Sequence, residues 1–416
     1  MAKRLKVLVS AYACNPTQGS EKGVGWGWVT AIGRHHDLWV LTGELHRADI
    51  ERAQTADPEC CRNVHFRYIP RTRWTRLEKV WPPAYLWTYG LWQRAAYRAG
   101  AELHARVGFD LVHLITYVGF RVPGHLWKLD IPFVWGPIGG LENTPWRLLP
   151  VLGPRGCIHY GCRNIINPLH KRFLPGPRRA FRKANGNLIA ATEGIRREIL
   201  RWYAQPSRVI CEIGPPERMA GAPSVRRPEE PLRLAWSGRH LPGKALPLLL
   251  DALPAVPPGI AWTLDVLGDG PERVKWQRRA ERRGIAARCR WHGQVSRADA
   301  LATVAASHLF VITSLKDLTS SVLLEALAQG VPVICPDHCG FSNVVTPDCG
   351  IKLPVSTPPR LIRGLAGAIG KLAADEGERQ RLARGALQRI GDFAWDRKAD
   401  AVNAIYARAV SAHGRH

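Results

Sequence analysis

Short apolar runs, each closed by a glycine- or serine-bearing loop and then a helix-period segment, recur along both halves of this chain. This alternation constrains the fold more than any single motif. Strands that alternate with helices pair in parallel and bury both sheet faces. In the first half the expected strands are Leu5–Ala11, Asp37–Thr42, Val64–Ile69, Asp110–Ile115, Pro132–Trp135 and Asn187–Ala191. Helices are expected over Glu21–Gly33, Pro82–Val107 and Glu193–Tyr203, the last capped by Thr192. The pattern restarts with strands at Leu232–Ser237, Trp262–Leu267 and His308–Thr313 and an apolar run ending at Cys335. Its helices are expected over Ala245–Leu253, Pro271–Arg283, Arg297–Ala306 and Pro359–Ala373. Residues 140–185, rich in Pro, Gly and Arg, show no clear period. The proline-rich stretch Gly214–Pro231 reads as a linker. The expected organisation is α/β: two doubly wound, Rossmann-like domains with parallel sheets, over 1–213 and 232–391, facing a cleft. An amphipathic helix over Trp395–Val410, within a final segment 392–416, is expected to return to the first domain.

The charge balance narrows the partners. Fifty-nine Lys and Arg against 34 Asp and Glu give a net charge of +25. Such a field attracts anions, whether nucleic acid, anionic lipid or phosphorylated substrate. No zinc-finger spacing or RNA-recognition signature is present, so nucleic acid is not the expected partner. No apolar run reaches the roughly 18 residues of a spanning helix. The opening Met1–Cys14 reads as a first strand rather than a signal peptide, because a Gly/Ser/Glu loop follows it. Ten scattered cysteines suit a reducing, cytoplasmic setting. Cys335, His338 and Cys339 lack a second Cys/His pair at zinc spacing, and no metal site is expected there. Between Arg71 and Arg98, Trp74, Trp81, Tyr85, Trp87, Tyr89, Trp92 and Tyr97 interleave with Arg and Lys. The spacing fits either an aromatic packing stripe or a face for an anionic membrane or a lipid-linked acceptor.

Five loops carry the candidate chemistry. Asp317 and Glu325 bracket a strand-end loop and a helix start at Ser320 and Ser321, whose amides and dipole favour an anion. A carboxylate such as Glu325 accepts two bonds at once and so could hold both hydroxyls of a ribose, while Asp317 could take sugar hydroxyls. The alternative is an acid compensating the helix dipole beside a surface Glu. Gly238-Arg239 ends a strand, and Lys244 follows across Leu-Pro-Gly; two cations at a strand end suit a diphosphate, if they are not simply solvated. Gly268-Asp-Gly270 closes the next strand, as a ligand-side or ordinary turn. In the first half, Gly19, Glu21 and Gly23 follow one strand and Gly139 and Gly140 another, and both loops are expected to face the cleft. His113 ends the Asp110 strand and could be catalytic or structural.

Taken in order, Gly238-Arg239 with Lys244, Gly268-Asp-Gly270, His292-Gly293 and the acid-x7-acid run into Glu325-Ala-Leu-Ala-x-Gly330-x-Pro-Val resemble the retaining glycosyltransferases of family 4, the glycosyltransferase group 1 class of the GT-B fold. Cys14-x-Pro16-x-x-Gly19-Ser-Glu21 and Trp135-Gly-Pro-Ile-Gly-Gly140 look like a bacterial subgroup of surface-polysaccharide enzymes, and Phe393-Ala-Trp395 with Lys398 like the class's final crossing helix. The resemblance implies Arg239 and Lys244 on the donor diphosphate, Glu325 on the ribose, and Asp317 with the amides near Ser320 on the donor sugar. It implies a metal-independent transfer with no cofactor, a UDP- or GDP-sugar as substrate, a lipid-linked or saccharide acceptor, and a cytoplasmic enzyme peripheral on the inner membrane face. Asp317 stands where the class usually has Glu, and Ile115 where it often has a histidine. The absence of any Asp-x-Asp pair argues against a divalent-metal transferase of the single-domain type. The rival expectations are a sugar-nucleotide epimerase of the same fold and a non-catalytic basic binding protein.

Overall fold

A computed structural model describes residues 4–81, 84–215 and 222–414. The start of the helix expected from Pro82, and residues 216–221 of the expected linker, lie outside the described residues. The chain divides into two compact units. One gathers the sequence up to Glu142, Pro168–Gly214 and the segment from Ala394; the other gathers Asn143–Asn167 and Pro215–Phe393.

The first unit holds seven strands, all parallel, in the order β3-β2-β1-β4-β5-β6-β7. These are β1 Lys6–Ala11, β2 Asp37–Gly43, β3 Val64–Ile69, β4 Leu111–Thr116, β5 Phe133–Ile138, β6 Leu188–Ala190 and β7 Arg208–Val209. After Lys6, every residue of β1 is buried, as are all of β4 and β5. That is why these strands read as unbroken apolar runs rather than alternating ones: helices cover both faces. The helix Trp395–His413 packs here, its Trp395 ring where Gly27 and Gly214 leave no side chain. Lys398, almost wholly buried, donates to the Cys211 carbonyl at 2.7 Å.

The second unit holds six parallel strands in the order β10-β9-β8-β11-β12-β13. They are β8 Leu232–Ser237, β9 Trp262–Leu267, β10 Cys289–Gly293, β11 Leu309–Val311, β12 Val333–Pro336 and β13 Gly350–Leu353. Leu234, Trp236, Leu264, Val266 and Val311 form one core with Leu249, Leu365 and Ile369 from its helices. Each fully buried Leu stabilises by roughly 1.5–3 kcal/mol. Leu148, Leu149 and Leu152 join this core, so residues 143–167 belong with the second unit and not with the first domain expected over 1–213.

The stretch 140–185, expected to be irregular, is mostly helical: a 3-10 segment Trp146–Leu152, then helices Gly153–Phe173 and Pro175–Ala184. Ile158, Ile165, Leu169 and Phe173 stand at helical spacing but are exposed, so the apolar residues of Gly153–Phe173 do not mark a buried face. Among the described residues, no helix is long and apolar enough to cross a membrane.

In both sheets the chain winds one way for three strands and then returns to the other side of the first. The order reverses between β1 and β4, and between β8 and β11. Loops leaving the carboxyl ends of those strand pairs diverge, and ligands bind in the crevice they leave.

Candidate functional site

In the second unit, the loops leaving β8 and β11 meet through one ion pair. The Lys244 ammonium lies 2.5 Å from an Asp317 carboxylate oxygen, with both side chains about one-fifth exposed. Asp317 also accepts the Leu318 amide at 3.1 Å, which fixes its rotamer. Lys244 reaches this point by lying over Gly238: a methyl on Gly238 would stand 3.6 Å from the lysine Cδ. The 3-10 turn Pro242–Lys244 is clamped on its other side. The Gly243 carbonyl accepts Leu315 N at 2.9 Å, and the Tyr160 hydroxyl packs so close to Gly243 that a Cβ there would be 2.5 Å from it. Arg239 is exposed and has no carboxylate partner among the described residues, which leaves its guanidinium available to an incoming anion.

A further loop and a helix start wall the same crevice. The Gly268-Asp-Gly270 turn lies edge-on against Gly238–His240: His240 N donates to Asp269 O at 2.8 Å, and Glu272 N to His240 O at 3.1 Å. Gly268, at φ 103°, has no room for a side chain, since a Cβ would fall 2.2 Å from Gly238 O. Gly270 faces the His240 backbone, where a Cβ would fall 2.8 Å from His240 O. These glycines are required by backbone-to-backbone contact. On the β11 side, Ser320 is the N-cap of helix Ser321–Ala328, with extended φ and ψ and no side-chain cap bond. Leu323 N donates to Ser320 O at 2.9 Å, so the amides without an intrahelical partner are those of Ser321 and Val322.

Glu325 stands five residues into that helix, its side chain 16% exposed. Burial pushes its carboxyl pKa up, and Arg297, at 3.3 Å, opposes the shift. A carboxylate so placed gains by accepting hydrogen bonds from a ligand's hydroxyls.

His240 was not among the candidate residues. It is fully buried beneath the Arg239 loop, with ring centroids 5.7, 5.0 and 5.8 Å from Trp236, Trp276 and Trp291. Neither ring nitrogen has a hydrogen-bond partner, and burial holds its pKa down at about 4, so it is neutral in the fold. A histidine after Gly-Arg carries no sequence signal for this role, because the three tryptophans come from three separate elements. Tyr160 was missed because it lies in the Pro-, Gly- and Arg-rich stretch 140–185, which was expected to be irregular.

In the first unit, the loops leaving β1 and β4 are joined by a carboxylate. Glu21, first residue of helix Glu21–Gly33, accepts Val118 N at 2.7 Å. Burial raises its pKa to about 7, with the Val118 amide pulling the other way. Beside it, Tyr12, Tyr89 and Tyr117 pack with centroids 4.9–5.1 Å apart, and Arg71 donates to the Tyr12 hydroxyl at 3.3 Å. Gly139 and Gly119 bridge, so the second glycine loop lies alongside: Gly139 N donates to Val118 O at 2.5 Å. Gly140 adopts φ 83°. Gly23 packs on the Gln18 carbonyl, whereas Gly19 has open space around it.

His113 is elsewhere. It is fully buried inside the first sheet's core, one ring nitrogen 2.7 Å from Tyr406 Oη and the other 2.8 Å from Gly136 O. Both nitrogens are engaged and burial holds its pKa down at about 4, so the geometry gives it a packing role and corrects the catalytic alternative. The aromatic stripe splits. Tyr89 and Trp92 are in the core, while Trp74, Trp81, Tyr85 and Trp87 are 44–63% exposed.

Two parallel doubly wound units, with glycine loops, paired charges and a bare helix start at the second switch point, define the GT-B class of fold. The comparisons agree. The model of the group 1 glycosyl transferases matches residues 222–389. A D-inositol 3-phosphate glycosyltransferase of Salinispora tropica is 30% identical over 397 residues, covering 87% of this chain and 77% of that protein. A lipopolysaccharide core biosynthesis glycosyltransferase, LpsE of Rhizobium meliloti, is 30% identical over 166 residues, 39% of this chain and 46% of that one. Among solved structures, Anabaena HepE in complex with UDP superposes with a TM-score of 0.62 at 16% identity, covering 98% of this chain and all of that one. The chain belongs to the group 1 glycosyltransferases.

Proposed function

We propose that this chain is a retaining, metal-independent glycosyltransferase. It moves a sugar from a UDP- or GDP-sugar to a lipid-linked or saccharide acceptor in bacterial cell-surface polysaccharide synthesis. The observation that carries the reading is the Lys244–Asp317 pair, set beside Arg239 and the start of helix Ser321–Ala328. In this mechanism the donor C1–phosphate oxygen bond breaks as the acceptor oxygen bonds C1 from the same face, and the acceptor proton passes to the departing diphosphate. Arg239, Lys244 and the free helix amides stabilise the charge that develops on that diphosphate, work that needs no metal. Glu325 holds the ribose hydroxyls, and Asp317 the donor sugar. HepE's complex with UDP and LpsE's place in lipopolysaccharide core biosynthesis support the donor and pathway classes.

The protein works in the cytoplasm, peripheral on the inner membrane face. The exposed Trp74, Trp81, Tyr85 and Trp87 and the net charge of +25 support attachment to an anionic bilayer. Incubation with a panel of UDP- and GDP-sugars and a lipid-linked saccharide acceptor, followed by proton NMR of the first product, tests the reading. Retained anomeric configuration and unchanged turnover with a chelator are expected. Inverted product, or conversion of donor without acceptor, overturns it.

A further inference from the structure

A pocket of about 590 Å³ opens in the second unit, on the flank of helix Arg273–Arg282. That volume falls within the ordinary range for small-ligand sites. None of the residues assigned above to the donor lines it. One side is apolar, formed by Val151, Leu152, Pro242, Pro247 and Trp276. This wall is firm: Leu152, Pro247 and Trp276 are buried, and Gly156 packs so tightly on Pro242 that a Cβ there would stand 2.8 Å from the proline Cβ.

The other side is cationic. Lys275, Arg278, Arg279 and Arg282 follow one another at helical spacing along one face, against only two lining carboxylates, Glu272 and Glu281. Two of the cations are already committed: Arg279 binds both Asp251 oxygens, at 2.8 and 2.5 Å, and Lys275 binds Glu272 at 3.0 Å. Arg278 and Arg282 are exposed and have no ion-pair partner among the described residues. Two unpaired guanidiniums above an apolar wall match a ligand with a phosphate at one end and an apolar body at the other, since guanidinium forks bind phosphate bidentately.

We propose that this pocket is a second ligand site, for an organic phosphate ester with an apolar group, bound by Arg278 and Arg282. Pro242 belongs to the 3-10 turn that carries Lys244, so an occupant also touches the turn that supplies the donor-site cation.

Calorimetry on the full chain, with UDP present at saturating concentration, tests this using 2-naphthyl phosphate, 2-naphthol and inorganic phosphate as probes. Naphthyl phosphate should bind more tightly than either half, and the double variant Arg278→Glu/Arg282→Glu should weaken it by about tenfold or more. Both positions are exposed, so the variant should melt within about 2 °C of wild type and keep its response to UDP. Equal binding of naphthol and naphthyl phosphate, or undiminished binding by the variant, overturns the proposal. Loss of the UDP response in the wild type would instead count against the donor reading and leave the comparison of the two proteins intact.

Discussion

Lys244 and Asp317 form a 2.5 Å ion pair across the point where the second sheet reverses its strand order. Each neutralises the other. On the proposed reading, a diphosphate entering beside Arg239 would offer Lys244 a second anion and release Asp317 toward sugar hydroxyls. Lys244→Ala should therefore lower turnover by about 10²–10³, the size of effect seen when one donor to a developing oxyanion is removed. Asp317→Asn should lower turnover too but leave UDP affinity within about threefold, because the proposed Asp317 contact is to the sugar. Steady-state kinetics with UDP titrations separates the two.

Glu325 is largely buried beside Arg297. If it takes the ribose, Glu325→Gln should lose about tenfold or more in UDP affinity. Wild type should prefer UDP to 2′-deoxy-UDP, and the variant should lose that preference. Competition binding with both nucleotides measures it.

Glu21 predicts a pH signature. Its folded pKa of about 7 is raised above the ordinary carboxyl value by burial, so the stability tied to its neutral form is present in acid. That stability is lost as pH rises through about 7. Glu21→Gln removes the charge but keeps an oxygen for Val118 N. Its Tm should exceed that of wild type at pH 8, with the gap closing toward pH 5. An equal gap at both pH values would contradict the assignment.

Four buried histidines act in the opposite direction. His46, His113, His240 and His308 all have pKa values held down to about 4 by burial. An unfolded chain binds their protons at about 6.5, so between 6.5 and 4 the unfolded state takes up more protons and stability falls as pH falls. Thermal melts of wild type should show Tm dropping over that window. For His113 alone, Tyr406→Phe should cost about 1 kcal/mol, one buried hydrogen bond, without changing UDP affinity.

Much of the fold was legible because parallel strands buried on both faces leave unbroken apolar runs; β1, β4, β8 and β9 fall within a residue or two of their expected bounds. The Asp317–Glu325 unit was legible because a strand end, an acid and a helix start are all local signals. Segment 143–167 was not. Its placement with the second unit depends on Leu148, Leu149 and Leu152 meeting a core built from residues some hundred positions later, a contact that no local period records. His113 misled because it was read as ending its strand, whereas it stands in the middle of β4, and a mid-strand histidine has the same local sequence whether it faces a ligand or the core. The aromatic stripe stayed ambiguous because it is both things: Tyr89 and Trp92 face inward, while Trp81, Tyr85 and Trp87 remain exposed.

The central claim is that the β8–β11 switch point binds a nucleoside diphosphate through Lys244 and Glu325. Calorimetric titration of UDP, GDP and ADP into wild type, Lys244→Ala and Glu325→Ala tests it most directly. The account predicts that one base binds wild type clearly and that each variant loses about tenfold or more in affinity for it. No nucleotide binding to wild type, or undiminished binding to both variants, would contradict it.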